Sequence, residues 1–432
     1  MTIYFVGIGG AGLSPMAQLA LDCGFEVGGS DMVRSLGTEA VETRGVRVAY
    51  DQSGTHIAQV HETTGLDWVV YTAACPDDHP ELVYAREQGI KTTKRDGFIN
   101  HVLEVKNLKL IGIAGTHGKT TTTGMLAWAF QQLDIPVSYL IGSNVSFGPS
   151  ATYQEGSEYF LLEADEFDRN FLHFAPEYSL VTNIDYDHPD VYASPGDYHQ
   201  AFAQYCQQTR ENTWLWEVDW QKIEHLFEFA QFSNLDRADT RILERINSLA
   251  LPGFHNRCNA HLCAELLRTL FGVDARPMLE SFPGTQRRME RLAPNLYSDY
   301  AHHPTEIKAT LQLARELNPH VVVIYQPHQN VRQHEISNLY GDCFDAAEQV
   351  YWLPTYLSRE QDDLEILTPE YLIERIPNNA HILVAPDTLS LAERIQQHLE
   401  SDQMVIAMGA GSIDGSIRQV AEALTASVPL VA

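Results

Sequence analysis

Leu108-Lys-Leu-Ile-Gly-Ile-Ala-Gly-Thr-His-Gly-Lys-Thr-Thr121 is the stretch on which the fold turns. Its first half is an apolar run with the character of a buried strand. It ends in a turn built on Gly115 and Gly118. Over residues 122–133, Met125, Leu126, Ala129, Phe130 and Leu133 then recur at helical spacing. Strand, glycine loop and helix in that order form the setting of a phosphate-binding loop. Glycine frees backbone N–H groups to face phosphate oxygens, and the helix N-terminus adds positive potential. Lys119 then neutralises the β- and γ-phosphates, and the Thr120 hydroxyl is a Mg²⁺ ligand. The match to GxxxxGK[ST] is imperfect, because the first required glycine falls on Ile113, with Gly112 one place away.

A metal needs further oxygen ligands, and two downstream runs offer them. Tyr159-Phe-Leu-Leu-Glu-Ala-Asp-Glu166 is an apolar strand ending in carboxylates, and Tyr178-Ser-Leu-Val-Thr-Asn-Ile184 runs into Asp185-Tyr-Asp-His188. Alone, either acidic end reads as a solvated loop. Beside a phosphate loop, a strand end is where an open α/β sheet places its metal carboxylate.

Strand and helix patterns alternate outward from this centre, which predicts an α/β protein with largely parallel sheets. Ile3-Tyr-Phe-Val6 opens the chain and enters a first glycine turn, and Val321-Val-Val-Ile-Tyr325 and Met404-Val-Ile-Ala-Met408 are further buried strands. Helices are expected over residues 260–270 and 417–424. Tyr351-Trp-Leu-Pro-Thr-Tyr356 reads as strand and core rather than a base-stacking platform. A length of 432 residues fits about three domains, placed at 1–106, 107–283 and 284–432.

Composition narrows the function. Lys and Arg number 29 against 57 Asp and Glu, a net charge of −28. Such a surface repels phosphate backbones, so neither nucleic acid nor an anionic membrane is an expected partner. Any phosphate ligand is held by local donors. The six cysteines are scattered without a CxxC pair, as expected for free thiols in the cytoplasm. The apolar N-terminus lacks a basic leader and is broken by Pro15, and no run of membrane-spanning length follows.

Taken together, Gly115-Thr-His-Gly-Lys-Thr120, Glu163-Ala-Asp-Glu166, Thr182-Asn-Ile-Asp-Tyr-Asp-His188, Gly253-Phe-His-Asn-Arg-Cys-Asn259, Arg287-Arg288 and Asp299-Tyr-Ala-His-His-Pro-Thr-Glu306 form an ordered set. Each is weak alone. In this order they resemble the Mur ligase family of ATP-dependent amide-bond formers in peptidoglycan precursor synthesis. The resemblance covers nearly the whole chain. It implies a Rossmann-like N-terminal domain for a UDP-sugar, a central P-loop ATPase-like domain and a Rossmann-like C-terminal domain. Gly7-Ile-Gly-Gly-Ala-Gly12, Gly29-Ser-Asp31 and Gln326-Pro-His328 point to the branch that adds L-alanine to the lactyl carboxylate of UDP-N-acetylmuramate. A branch that returns a murein tripeptide to the same sugar shares much of this pattern.

The resemblance implies roles residue by residue. ATP falls to Gly115, Thr116, His117, Gly118, Lys119, Thr120, Thr121, Asn183, His255, Asn259, Arg288 and Asp299, and Mg²⁺ to Thr120, Glu163 and His188. Lys119, His188, Arg288 and His302 form the catalytic set, with His302 as base for the amine. The amino-acid pocket falls to His303, His328 and Arg332. Small-molecule substrates are the implied partners, and a homodimer is the assembly to test.

Gly9, Gly10, Ala11, Gly12, Ser30, Asp31, Thr72 and Ala73 form the expected UDP-sugar site. The same glycine turn, with an acidic residue some 20 positions on, also suits a nicotinamide dehydrogenase. A hydride-transfer enzyme has no use for the second phosphate loop. Two departures stand out. His188 and His255 are 67 positions apart, closer than is usual in the family, and Gln329-Asn-Val-Arg-Gln-His-Glu335 replaces an arginine-rich loop. No lysine lies between His188 and Lys222, where several other branches carry a carbamylated lysine for a second Mg²⁺.

Overall fold

The computed structural model describes residues 1–72, 74–227, 235–238, 243–358, 360 and 363–426, and they build three sheets. The first is all parallel, in the order Val48–Ala49, Glu26–Ser30, Thr2–Val6, Trp68–Tyr71, Lys91–Thr93. The second runs Leu235–Ala238, Asn212–Trp216, Tyr178–Val181, Lys109–Ala114, Tyr159–Glu163, Val137–Leu140, Ala151–Thr152, antiparallel only at its last pair. The third runs Glu290–Ala293, Leu296–Asp299, Met404–Met408, Val321–Tyr325, Gln349–Trp352, Ile382–Val384, antiparallel only at its first pair. The expected α/β class with mainly parallel sheets is what the chain forms. Among the described residues, no helix is long and apolar enough to cross a membrane, and all six cysteines are unpaired.

Contacts divide the chain into two compact units, Met1–Thr240 with Leu262–Phe282, and Arg241–His261 with Pro283–Ala432. In the first unit, Ile3 and Phe5 share one apolar cluster with Leu110, Phe160 and Leu162 of the second sheet. Burying each phenylalanine stabilises the fold by roughly 1.5–3 kcal/mol. In the second unit, Trp352 is buried among Tyr325, Tyr340 and Phe344. Tyr351, Trp352 and Leu353 are core as expected, whereas the strand ends at Trp352 and Pro354 and Tyr356 are exposed.

Register explains how the phosphate loop acquires neighbours. Lys109–Ala114 lies between Tyr159–Glu163 and Tyr178–Val181, with Ile113 opposite Glu163 and Ala114 opposite Val181. All three strands run the same way, so their C-terminal ends emerge together. Some boundaries differ from the sequence reading. The helix after the loop is Lys119–Gln132 rather than 122–133, because Gly118 adopts a left-handed φ of 83° and lets the first turn begin at Lys119. The Tyr178 strand ends at Val181, and Thr182 and Asn183 leave the sheet to bond the loop. The helices expected at 260–270 and 417–424 extend over Phe254–Phe271 and Ile413–Ala426.

Candidate active site

The phosphate loop is held from below by the two neighbouring strand ends. The Asn183 side chain accepts from the His117 amide at 3.0 Å and donates to its carbonyl at 2.8 Å. The Thr182 hydroxyl donates to the same carbonyl at 2.6 Å. Thr116 donates its hydroxyl to the Asp185 carbonyl at 2.7 Å and lies 2.8 Å from the Tyr198 hydroxyl. Gly115 adopts φ of 134°, and a Cβ there would overlap the Thr182 hydroxyl. Only glycine lets the loop sit this close. His117 Nε2 is 3.2 Å from Asp185 Oδ2.

Lys119 reaches back over the loop. Its ammonium donates to the carbonyls of Gly115 at 2.8 Å and Thr116 at 3.2 Å, and to Glu166 Oε2 at 2.5 Å. Glu166 is 1% exposed, and its other oxygen lies 3.5 Å from His188 Nε2. Burial alone would neutralise both partners of this pair. Attraction outweighs it, so the Lys119 pKa is raised and that of Glu166 lowered. Next to them, burial and then the charge of Glu166 raise the pKa of Asp165.

Thr120 donates its hydroxyl to Glu163 Oε1 at 2.8 Å, and the Gly142 amide donates to Glu163 Oε2 at 2.7 Å. Here the structure brings Thr120 to Glu163 and His188 to Glu166. Glu163 and Glu166 carry more negative charge than Lys119 alone offsets, and Thr120 and Glu163 offer adjoining hard oxygens. This donor set fits a small divalent cation. Thr121 lies in the first turn of the helix.

At the first glycine turn, the amides of Gly7 and Ile8 both donate to the Ser30 carbonyl, at 2.8 and 2.9 Å. The Gly9 amide donates to Asp31 Oδ2 at 2.8 Å, and the Gly10 amide to the Gly7 carbonyl at 3.1 Å. Ala11 and Gly12 keep amides that make no backbone bond among the described residues. The helix Ser14–Asp22 follows with Pro15 in its first turn. The Ser30 hydroxyl points inward and is fully buried. The Thr72 methyl lies 3.0 Å from where a Gly7 Cβ would stand, so Thr72 flanks the turn. Ala73 lies outside the described residues.

The second unit carries the remaining candidates. His255 Nδ1 is buried without a hydrogen-bond partner. Burial, then the nearby Arg288 and Arg257, push the His255 pKa down to about 4, so the ring is neutral at physiological pH. Asn259, one turn along the same helix, is 5% exposed. Arg288 lies 5.0 Å from the Tyr300 ring and 3.7 Å from Glu306. Asp299 is buried, and its carboxylate accepts from the Met289 and Ala301 amides at 2.7 and 2.8 Å and from the Thr310 hydroxyl at 3.2 Å. It holds the strand-to-helix turn together. His302 Nδ1 is 3.1 Å from the Tyr300 carbonyl and 3.2 Å from Glu306.

His303 begins the helix Pro304–Leu317. Its ring accepts from the Thr305 amide while Glu306 accepts from the His303 amide, a reciprocal cap. The His328 ring lies 5.8 Å from His302 and stacks on Tyr356 at 5.7 Å. Arg332 sits one turn on, in the helix Asn330–Ile336.

Several residues that organise these clusters had no assigned role in the sequence reading. Glu166 belongs to a quoted motif, but nothing in the sequence says which of its three carboxylates meets the lysine. Glu316 binds Arg257 through both oxygens at 2.8 and 2.9 Å and accepts from the Gly253 amide at 2.9 Å. It thereby fixes the turn before His255. Lys222 donates to the Ile184 carbonyl at 2.6 Å and to Asp219 at 2.8 Å.

Residues 2–106 match the Mur ligase family, catalytic domain, residues 113–236 the Mur ligase middle domain, and residues 287–411 the Mur ligase, glutamate ligase domain. The chain is 31% identical to the UDP-N-acetylmuramate–L-alanine ligase of Cytophaga hutchinsonii, over 97% of this chain and 96% of that one. It is 30% identical to the protein of the same name from Clostridium perfringens, over 95% of each. Among solved structures, the UDP-N-acetylmuramate-alanine ligase of Thermotoga maritima is similar with a TM-score of 0.74 at 25% identity, covering 99% of this chain and 100% of that one.

Proposed function

We propose that this chain, which belongs to the Mur ligase family, is an ATP-dependent ligase that joins L-alanine to the lactyl carboxylate of UDP-N-acetylmuramate in peptidoglycan precursor synthesis. The observation that carries this reading is the Lys119–Glu166–His188 cluster beside a glycine loop and the Thr120–Glu163 pair. Relatives that carry this activity in their names align over nearly the full length. The three segments 1–106, 107–283 and 284–432 are the proposed sugar-nucleotide, ATP and amino-acid parts.

A carboxylate is a poor electrophile, so the reaction first activates it. A lactyl oxygen attacks the γ-phosphorus of ATP, the bond to the β-phosphate oxygen breaks, and ADP leaves with the electron pair. The amine of L-alanine then attacks the carbonyl of the acyl phosphate, and phosphate departs. The protein supplies charge neutralisation and alignment at both steps. Lys119 offers its ammonium to the phosphates in place of the loop carbonyls that it now bonds, and Arg288 adds a second cation. Gly115, Thr116, His117, Gly118 and Thr121 shape the loop and the helix start, and Asn183 holds it.

His255 and Asn259 offer buried polar groups to the adenine, the unpaired Nδ1 of His255 foremost. Asp299 serves the nucleotide through the turn it holds. Thr120 and Glu163 are the proposed Mg²⁺ ligands, with His188 beside them; bound Mg²⁺ supplies positive charge to the phosphate oxygens. The Ala11 and Gly12 amides receive the diphosphate of the sugar nucleotide, with Gly9, Gly10, Ser30, Asp31 and Thr72 shaping that site and Ala73 assigned to it from the sequence. His302, oriented by Glu306, takes the amine proton, and His303, His328 and Arg332 line the acceptor pocket. The cytoplasm is the proposed compartment, in keeping with unpaired cysteines, and a homodimer the proposed assembly.

Mass analysis of the product tests this reading. Incubation with ATP, Mg²⁺ and UDP-N-acetylmuramate, offering L-alanine, glycine, L-serine and a murein tripeptide side by side, is expected to yield the alanyl product. Preference for the tripeptide would assign the chain to the recycling branch instead.

A further inference from the structure

We propose that Glu81 is a positioning residue of the nucleotide-sugar site, acting through Ser30 on the first glycine turn. The inference rests on the reading of that turn as the sugar-nucleotide site. Glu81 lies in the first turn of the helix Pro80–Glu87 and is 0% exposed. A buried carboxylate is costly unless its oxygens are filled, and here both are. Oε2 accepts from the Ser30 hydroxyl at 2.5 Å and Oε1 from the Tyr4 hydroxyl at 2.7 Å. Gln52 donates to the Ser30 oxygen at 3.1 Å, and the Tyr4 hydroxyl also lies 3.0 Å from His56 Nδ1.

These bonds converge on the end of a strand. Ser30 is the last residue of Glu26–Ser30, and its carbonyl accepts both the Gly7 and Ile8 amides, at 2.8 and 2.9 Å. Asp31, the next residue, holds the Gly9 amide at 2.8 Å. Three consecutive turn amides therefore hang on two residues, and the side chain of the first is anchored by Glu81 and Gln52. If the carboxylate is removed, Ser30 is free to rotate and its carbonyl to tilt. The Ala11 and Gly12 amides then lose the orientation that aims them at a diphosphate. A glutamate with a purely structural role would give the same burial, so the test must separate positioning from stability.

The experiment compares wild type with Glu81→Ala, Glu81→Gln, Ser30→Ala and the Glu81→Ala/Ser30→Ala double variant. It reads thermal midpoint, kcat, the KM of each substrate, and the Kd for UDP-N-acetylmuramate without ATP by calorimetry. Positioning predicts that Glu81→Ala raises the Kd and KM for UDP-N-acetylmuramate about tenfold or more. The KM values for ATP and L-alanine should stay within about twofold, because their sites lie outside the first glycine turn. Glu81→Gln should recover much of the loss, since its amide oxygen still accepts one hydroxyl. The double variant should be no worse than the worse single variant, because both act through one contact.

A lowered thermal midpoint with an unchanged Kd, or a loss spread evenly over all substrates, would overturn the proposal. If Glu81→Ala does not fold, Ser30→Ala, which removes the same contact from its other end, carries the comparison. Wild type that fails to bind UDP-N-acetylmuramate would overturn the functional reading itself, and this inference with it. Wild type that binds, with variants that bind equally well, overturns the role of Glu81 alone.

Discussion

The Lys119 ammonium stands 2.5 Å from Glu166 Oε2, and the second oxygen of that carboxylate lies 3.5 Å from His188. Lys119 is thus held by three acceptors, Glu166 and the carbonyls of Gly115 and Thr116. In the proposed reading, a γ-phosphate competes for a cation that is already desolvated and aimed. Lys119→Ala removes this donor and leaves Glu166 buried without its cation. Phosphate release is expected to fall by about 10²–10³-fold. Glu166→Ala should destabilise the fold by about 3–5 kcal/mol, because the lysine loses its buried partner. Steady-state kinetics and denaturant unfolding read the two effects separately.

Glu163 makes a different prediction. It holds the Thr120 hydroxyl at 2.8 Å and the Gly142 amide at 2.7 Å. Glu163→Gln keeps the shape and removes the charge. The Mg²⁺ concentration for half-maximal activity should rise at least about tenfold, with ATP binding in metal-free buffer little changed. A Mg²⁺ titration of variant and wild type checks this.

The Arg257–Glu316 pair gives a pH window. Its Glu316 pKa is lowered to about 2, first by the hydrogen bonds from Arg257. The unfolded value is about 4.3, so the folded state favours the charged form. The pair's contribution is complete above the unfolded value and lost as pH falls toward the folded one. Solvent reaches part of the pair, which limits the gain to about 1 kcal/mol. Glu316→Gln should therefore be less stable than wild type at pH 7 by that amount, and the gap should close between about pH 4.3 and 2. Urea unfolding across pH measures it.

Gly37 packs its backbone on Gly9, and a Cβ there would overlap the Gly9 carbonyl. Gly37→Ala should push the first glycine turn aside at a cost of about 1–3 kcal/mol and raise the KM for UDP-N-acetylmuramate more than that for ATP. Equal KM values in the variant would show that the turn tolerates the shift.

Much of this site was legible in the sequence because its local physics is strong. Gly115 and Gly118 announce a loop that no side chain could follow, and the apolar strand before them and the helical spacing after them leave one setting for it. Long-range pairings were not legible. Asp299 sits in a quoted motif, yet what its carboxylate holds, Met289, Ala301 and Thr310, depends on how a strand meets a helix. Ser30 carries a hydroxyl suited to a ligand, but Glu81, 51 positions on, draws it inward. Glu316 likewise reaches Arg257 across 59 positions. No spacing rule encodes such partners, since they are set by which helix covers which strand. The shared cluster of Phe5, Leu110 and Phe160 was equally hidden, because each residue reads only as the core of its own strand.

Phosphate release from ATP and Mg²⁺ in the presence of UDP-N-acetylmuramate, with and without L-alanine, tests the central claim most directly. Sustained release that requires both UDP-N-acetylmuramate and L-alanine, and that Lys119→Ala lowers by about 10²–10³-fold, is the predicted result. Release that ignores L-alanine, or that the loss of Lys119 leaves unchanged, would contradict it.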